Sequence, residues 1–148
     1  MQSKKISILG STGSIGTSTI QVLRNLKSIQ LKGIAARENI DLLEKQIEEF
    51  QPEVVAVYNK EKAQELKKRI SIPVLDGMEG VKEIASMPSV DFVMSAMSGT
   101  AGLIPTIAAI EAGKCIGLAN KEVLVSAGEY ITSLIKSKNT QLIPVDSE

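Results

Sequence analysis

The run Gly10-Ser-Thr-Gly13-Ser-Ile-Gly16 constrains the chain more than any other feature, because it follows the apolar segment Ile6-Ser-Ile-Leu9 directly and opens onto a helix-like stretch. A glycine-rich turn between strand and helix sets the start of a βαβ unit. Glycine lets the backbone turn tightly and approach a ligand closely. The exposed N–H groups and the positive dipole end of the following helix then attract an anion such as a pyrophosphate. The spacing G-x-x-G-x-x-G is a variant of the dinucleotide fingerprint G-x-G-x-x-G. It is not a P-loop, since no Gly-Lys-Ser/Thr closes the run and Gly16 is followed by Thr17 and Ser18.

The same alternation of short apolar runs and longer amphipathic ones continues to the end of the chain. Strands are predicted at residues 5–9, 31–36, 54–58, 73–75, 90–95, 115–118 and 141–144, with helices filling the intervals. This is the sequence form of an α/β fold, doubly wound and Rossmann-like, with a mainly parallel sheet and helices on both faces. The first helix, residues 14–26, is expected to turn Ile15, Ile20, Val22, Leu23 and Leu26 largely to one face. Asn39 is placed to cap the second, residues 40–50, and Gln51-Pro52 stops it. Residues 60–69 space Ala63, Leu66 and Ile70 as one buried stripe. Residues 100–112 carry Leu103, Ile107 and Ile110 and end at Gly113, while Glu111 and Lys114 exclude a transmembrane span. In a parallel sheet the central strands, 90–94 and 115–118 above all, are expected to be buried on both faces.

Composition narrows the function. With 148 residues the default is one domain, and 17 basic side chains balance 17 acidic ones, leaving no excess charge to hold nucleic acid or an anionic membrane. Phe50, Tyr58, Phe92 and Tyr130 are scattered and form no platform for stacking bases. Histidine is absent, which excludes imidazole catalysis and histidine metal ligation within these residues. Any acid, base or ligand is carboxylate, lysine, hydroxyl or backbone. Cys115, in an apolar run, has no intrachain partner and suits a reducing compartment. Met1-Gln-Ser-Lys-Lys5 passes straight into a strand with neither signal-peptide nor transit-peptide character, so a cytoplasmic location is expected.

The adenosine end of a dinucleotide site falls about twenty residues past the glycine turn, at the end of the second strand. Arg37, Glu38 and Asn39 stand there. A guanidinium can bind the 2′-phosphate of NADP bidentately, so Arg37 favours NADP, whereas Glu38 alone would argue for NAD.

Three further stretches, Ser95-Ala-Met-Ser-Gly99-Thr-Ala-Gly102-Leu-Ile-Pro105-Thr, Ala119-Asn120-Lys121-Glu122 and Pro144-Val-Asp146-Ser147-Glu148, lie in order behind Ile8-Leu-Gly-Ser-Thr-Gly-Ser-Ile-Gly16. Together they closely resemble the N-terminal, NADPH-binding domain of the 1-deoxy-D-xylulose 5-phosphate reductoisomerase family, over essentially the whole chain. The resemblance implies that Gly10, Thr12, Gly13, Ser14, Ile15 and Gly16 serve the pyrophosphate turn and that Arg37, Glu38 and Asn39 line the adenosine end. It implies that Asn120 and Glu122 reach the nicotinamide half and that Lys121 contacts substrate. A cation at a helix start opposes the dipole, which makes a merely solvated Lys121 unattractive.

By the same resemblance Asp146 and Glu148 match two of three metal-binding carboxylates, and Ser147 matches a substrate-binding residue. In an extended strand residues i and i+2 share a side, so both carboxylates would face one Mg²⁺ or Mn²⁺ ion. The implied reaction is isomerisation and NADPH-dependent reduction of a sugar phosphate, 1-deoxy-D-xylulose 5-phosphate, to 2-C-methyl-D-erythritol 4-phosphate in non-mevalonate isoprenoid synthesis. Lys121, Asp146 and Glu148 would carry the catalysis. The chain stops just past a strand-like segment, so it is expected to be the front of a longer protein, a homodimer by family likeness, and by itself to bind NADPH without turnover. Two rivals stay open: another oxidoreductase resembling homoserine dehydrogenase, with a similar glycine turn and Ala-Asn-Lys segment, or a non-catalytic nucleotide-binding module.

Overall fold

The computed structural model describes residues 4–119 and 121–145, Thr100 by its backbone alone. Strands β1 (Lys4–Leu9), β2 (Ile29–Ala36), β3 (Val54–Val57), β4 (Val74–Asp76), β5 (Phe92–Ser95), β6 (Cys115–Leu118) and β7 (Leu142–Pro144) form one sheet in the order β4-β3-β2-β1-β5-β6-β7. Every pairing between neighbours is parallel. The connections are helical: α1 (Ser14–Arg24), α2 (Ile40–Phe50), α3 (Lys60–Lys67), α4 (Gly77–Ala85), α5 (Leu103–Glu111) after a single 3-10 turn at Thr100–Gly102, and α6 (Lys121–Lys138). The sheet is thus a doubly wound α/β sheet, parallel throughout the described residues, and its strand order reverses between β1 and β5. The carboxyl ends flanking such a reversal are where open α/β sheets bind ligands.

Local chemistry sets the helix limits. Asn39 Oδ1 accepts the Leu42 N–H at 3.2 Å, and Asn59 Oδ1 accepts the Lys62 N–H at 3.1 Å, so α2 and α3 begin on asparagine caps. Gln51, in a left-handed conformation at φ 50° before Pro52, ends α2. Lys114 closes the α5–β6 turn by donating from Nζ to the Val90 carbonyl at 2.6 Å. Among the described residues no helix is long and apolar enough to cross a membrane.

Two cores flank the sheet. On one face Ile20 and Leu23 of α1, Leu43 and Ile47 of α2 and Leu66 of α3 meet Ile6, Ile8, Ile34 and Val55 from the strands. On the other, Val81 and Ile84 of α4, Ile110 of α5 and Ile131 of α6 meet Leu9, Val93, Ile116 and Leu118. The alternation along β1, with Ile8 to one core and Leu9 to the other, is the period-two pleat of a strand buried on both sides.

Two expectations need correction. In α1 only Ile20 and Leu23 of the expected apolar face are buried; Val22 and Leu26 are exposed and Ile15 is half-buried. The helix packs by the narrow stripe that Gly16, Ile20 and Leu23 define, and its other apolar side chains fall on a flank. The side chains of β5 and β6 are fully buried on one face, where Val93, Ser95, Ile116 and Leu118 lie, but not on the other, where Phe92, Met94 and Cys115 are half-buried. The buried side chains of α5 and α6 belong to a single core, on the α4 side, so the opposite side of β5–β7 receives no helix from this half.

Candidate functional site

The glycine run forms a turn whose three glycines do different work. Gly10 has φ 86°, and a Cβ on it would sit 2.7 Å from the Ala96 carbonyl oxygen, so β1 can end this close to the segment after β5 only without a side chain. Gly16, inside the first turn of α1, is closer still: its Cβ would fall on the Gly10 carbonyl oxygen. These two glycines let the turn close, with the Gly13 N–H reaching back to the Gly10 carbonyl at 3.2 Å. Gly13 is the open one. It is the N-terminal cap of α1 and exposed, with only the Gly10 carbonyl 3.7 Å from the place of a Cβ, and no side chain caps the helix. The leading N–H groups of α1 have no acceptor within the helix, and Gly13, Ser14 and Ile15, where they stand, line a cleft. Thr12 is half-buried within the turn.

The parallel ladder carries the neighbouring strands to the same level. Gly10 N–H donates to Ala35 at 2.7 Å, Ala96 to Leu9 at 2.8 Å, Ala119 to Ser95 at 3.0 Å and Val145 to Leu118 at 2.9 Å. Ala96, Ala119 and Val145, each just past a strand, therefore stand side by side beyond the carboxyl edge. With Gly13, Ser14, Ile15, Met97, Ser98, Gly99, Lys121 and Glu122 they line one cleft of about 580 Å³. Lys121 and Glu122 are exposed at the first two positions of α6, so the helix start sets their side chains at the cleft's edge.

Arg37 and Glu38 follow β2 and border a second opening of about 540 Å³ with Tyr58, Asn59, Lys60 and Glu61. The Arg37 guanidinium donates from Nη2 to the Ser98 carbonyl at 3.0 Å, tying the end of β2 to the loop that lines the first cleft. Asn39 is exposed, and its carboxamide oxygen is engaged in capping α2. Asn120, Asp146, Ser147 and Glu148 lie outside the described residues. Among the described residues no group of three or more Cys, Asp or Glu is arranged to hold a metal ion.

Three supporting residues are not singled out by the sequence alone. Gln46 of α2, buried, donates from Nε2 to the Ser11 carbonyl at 2.9 Å and so braces the glycine turn from behind. Ser95 and Thr106 are buried hydroxyls 2.8 Å apart, and Thr106 donates onward to the Gly102 carbonyl at 2.7 Å, pinning the loop between β5 and α5. Ser95 and Thr106 stand at the two ends of one of the sequence motifs, but the motif does not tell their role. Their only signal is a polar side chain at a position that helix or strand periodicity turns inward.

Comparison with known proteins follows the same residues. The family model described as 1-deoxy-D-xylulose 5-phosphate reductoisomerase matches residues 6–128. The reductoisomerase of Protochlamydia amoebophila is 59% identical over 147 residues, which cover 98% of this chain but 38% of that protein. Among solved structures, the Zymomonas mobilis enzyme in complex with NADPH aligns at TM-score 0.93 and 36% identity over 99% of this chain and 40% of the other. A reductoisomerase in complex with magnesium aligns at 0.92 and 36% over 99% and 38%. A homoserine dehydrogenase from Thiobacillus denitrificans, at 19% identity and TM-score 0.61, shares the fold alone. The chain spans about two fifths of the length of the reductoisomerases it matches, and over that span it belongs to the 1-deoxy-D-xylulose 5-phosphate reductoisomerase family.

Proposed function

We propose that this chain is the NADPH-binding front domain of an enzyme that isomerises 1-deoxy-D-xylulose 5-phosphate and reduces the product to 2-C-methyl-D-erythritol 4-phosphate. The observation that carries the reading is the convergence of the uncapped start of α1 with the residues just past β1, β5, β6 and β7 on one cleft. The cleft fits a dinucleotide. Gly13 leaves its wall open, the α1 amides suit a diphosphate, and Arg37 stands where a 2′-phosphate would fall. Relatives solved with NADPH and with magnesium support the same assignment.

NADPH supplies hydride when bound. The protein's part is placement. Ser14 and Ile15 would hold the diphosphate, with Thr12 beside it; Arg37, Glu38 and Asn39 would border the adenosine, and Asn120 and Glu122 would orient the nicotinamide half. Lys121, at the cleft's edge, would present its ammonium to a substrate oxygen, where a fixed positive charge favours developing negative charge. Asp146 and Glu148 are assigned to a divalent cation, Mg²⁺ or Mn²⁺, and Ser147 to the substrate. A cation held there would polarise substrate oxygens as a Lewis acid.

Residues 1–148 bind NADPH without turnover in this reading, because the remaining metal and phosphate ligands belong to the catalytic part of a longer chain, cytoplasmic and homodimeric. Fluorescence titration with NADPH and NADH, paired with a coupled turnover assay, tests it. Tighter binding of NADPH without turnover is expected; tighter NADH binding, no binding, or turnover by these residues alone would contradict it. Arg37→Ala should weaken NADPH about tenfold or more and leave NADH nearly unchanged, as loss of a charge-assisted bond of about 1.5–3 kcal/mol requires.

A further inference from the structure

We propose that the flank of β5, β6 and β7 over which no described helix packs is a docking strip, and that in the full-length enzyme a single amphipathic helix from the part of the chain beyond residue 148 packs on it. The proposal rests on the reading of the chain as the front domain of a longer reductoisomerase. Register places Phe92 opposite Cys115, Met94 opposite Gly117, and Gly117 opposite Ile143, so these side chains share one side of the pleat. It is the side of Ile6 and Ile8, which pair with Phe92 and Met94 and lie in the core beneath α1. Phe92 and Met94 lean over Gly117, with the Phe92 ring 2.9 Å from where a Cβ would stand, so apolar side chains fill the middle of the strip. Ile143, on the edge strand, is 46% exposed.

Helix α1 forms the other wall. Its Arg24 reaches α2 through two hydrogen bonds to Glu49, at 2.7 and 2.9 Å, which fixes the side turned toward α2. On a helix of 100° per residue Val22 lies on the opposite flank, toward β5, and is 56% exposed, while Leu26, just past the helix end, is 40% exposed. Thr19, on the same flank, turns its hydroxyl back to the Ile15 carbonyl at 2.8 Å, leaving the wall largely apolar.

Topology explains why the strip is bare and what its size admits. The connections β5–α5–β6 and β6–α6–β7 keep one hand, and both helices contribute to the core shared with α4. Continuing the winding past β7 would add a helix to that same face, so a cover must come from a segment that leaves the succession and returns. Three strands about 4.8 Å apart span about 10 Å, the diameter of one helix, and strands of four residues give room for about two to three turns. The footprint is far below the roughly 800 Å² per partner that a stable dimer buries. A tethered helix needs no such area, since the linkage makes its docking intramolecular. The matched reductoisomerases hold the larger part of their length outside the aligned region, enough to supply it.

A photoreactive benzophenone amino acid at Val22 or at Ile143 of the full-length enzyme, with a control at Glu48 on the exposed side of α2, tests the proposal. An adduct within one chain, mapped by mass spectrometry to a segment beyond residue 148 from both strip positions and absent from the control, is expected. An adduct at the mass of two chains would assign the strip to a second copy and overturn the proposal, as would the absence of any adduct. In parallel, Ile143→Lys should lower the melting temperature by about 4 °C or more if the strip is covered, and an unchanged value would count against cover. NADPH binding and turnover are read on the same preparations. Activity without an adduct refutes the docked helix alone, whereas failure to bind NADPH refutes the family reading of the site.

Discussion

Gly13 and Gly16 sit three residues apart in one motif, yet they should respond to the same substitution in opposite ways. At Gly16 a methyl group would overlap the Gly10 carbonyl oxygen and crowd the Ser11 backbone, so Gly16→Ala must displace the turn and is expected to cost about 3 kcal/mol or more, read by urea unfolding. At Gly13, where φ is −82° and the nearest atom is 3.7 Å away, Gly13→Ala should change stability by less than about 1 kcal/mol. Its methyl group intrudes on the cleft, so NADPH affinity should fall all the same. Equal losses of stability in the two variants would show that the turn is not built as described. The Ser95–Thr106 pair gives a second test at this scale. Thr106→Val strands a buried serine hydroxyl and removes the bond to Gly102, for which about 1–3 kcal/mol is expected, and a neutral result would mean the pair does not hold the loop.

Elements are tied to one another by charge pairs as well as by the two cores. Arg24 joins α1 to Glu49 of α2, and Arg69, beyond α3, joins Asp41 of α2 at 2.8 Å. The paired guanidinium holds each carboxyl below its ordinary value, 4.5 for Glu49 and 3.8 for Asp41. A depressed carboxyl contributes stability that is full above the ordinary value and disappears as pH falls through the lower, folded one. The melting temperature should therefore decline below about pH 4.5, and Glu49→Gln should flatten part of that decline by slightly lowering the melting temperature at pH 7, the two proteins converging in acid. An undiminished acid slope in the variant would show that the pair is not formed. The elements were largely legible in the sequence, since β-branched runs, Asn39 and Gln51-Pro52 mark their limits directly. Their flanks were not. Periodicity grouped Val22 and Leu26 with Ile20 and Leu23, because a helical wheel shows which residues adjoin but not how wide a stripe the sheet covers. Burial of Phe92 and Met94 was overestimated for a related reason, since it depends on which face receives α5 and α6. The bracing roles of Gln46, Ser95 and Thr106 were not legible, although the last two stand at the ends of a sequence motif, because a buried hydrogen bond between distant residues leaves no local pattern.

For the whole molecule, winding order does what no single motif can. Because every described pairing is parallel and the order reverses between β1 and β5, the glycine turn, the Ser95–Gly99 segment, the start of α6 and Val145 all emerge on the same edge. Residues separated by more than a hundred positions thereby become neighbours, and the described residues of the four sequence motifs border one cleft. On the proposed function this edge receives NADPH with its diphosphate at the start of α1. A crystal structure with NADPH bound tests it most directly: the diphosphate should accept hydrogen bonds from the Ser14 and Ile15 N–H groups, with the 2′-phosphate at Arg37 and the nicotinamide directed toward Lys121. NADPH bound with its diphosphate away from the α1 start, or with the nicotinamide turned toward Arg37, would contradict it.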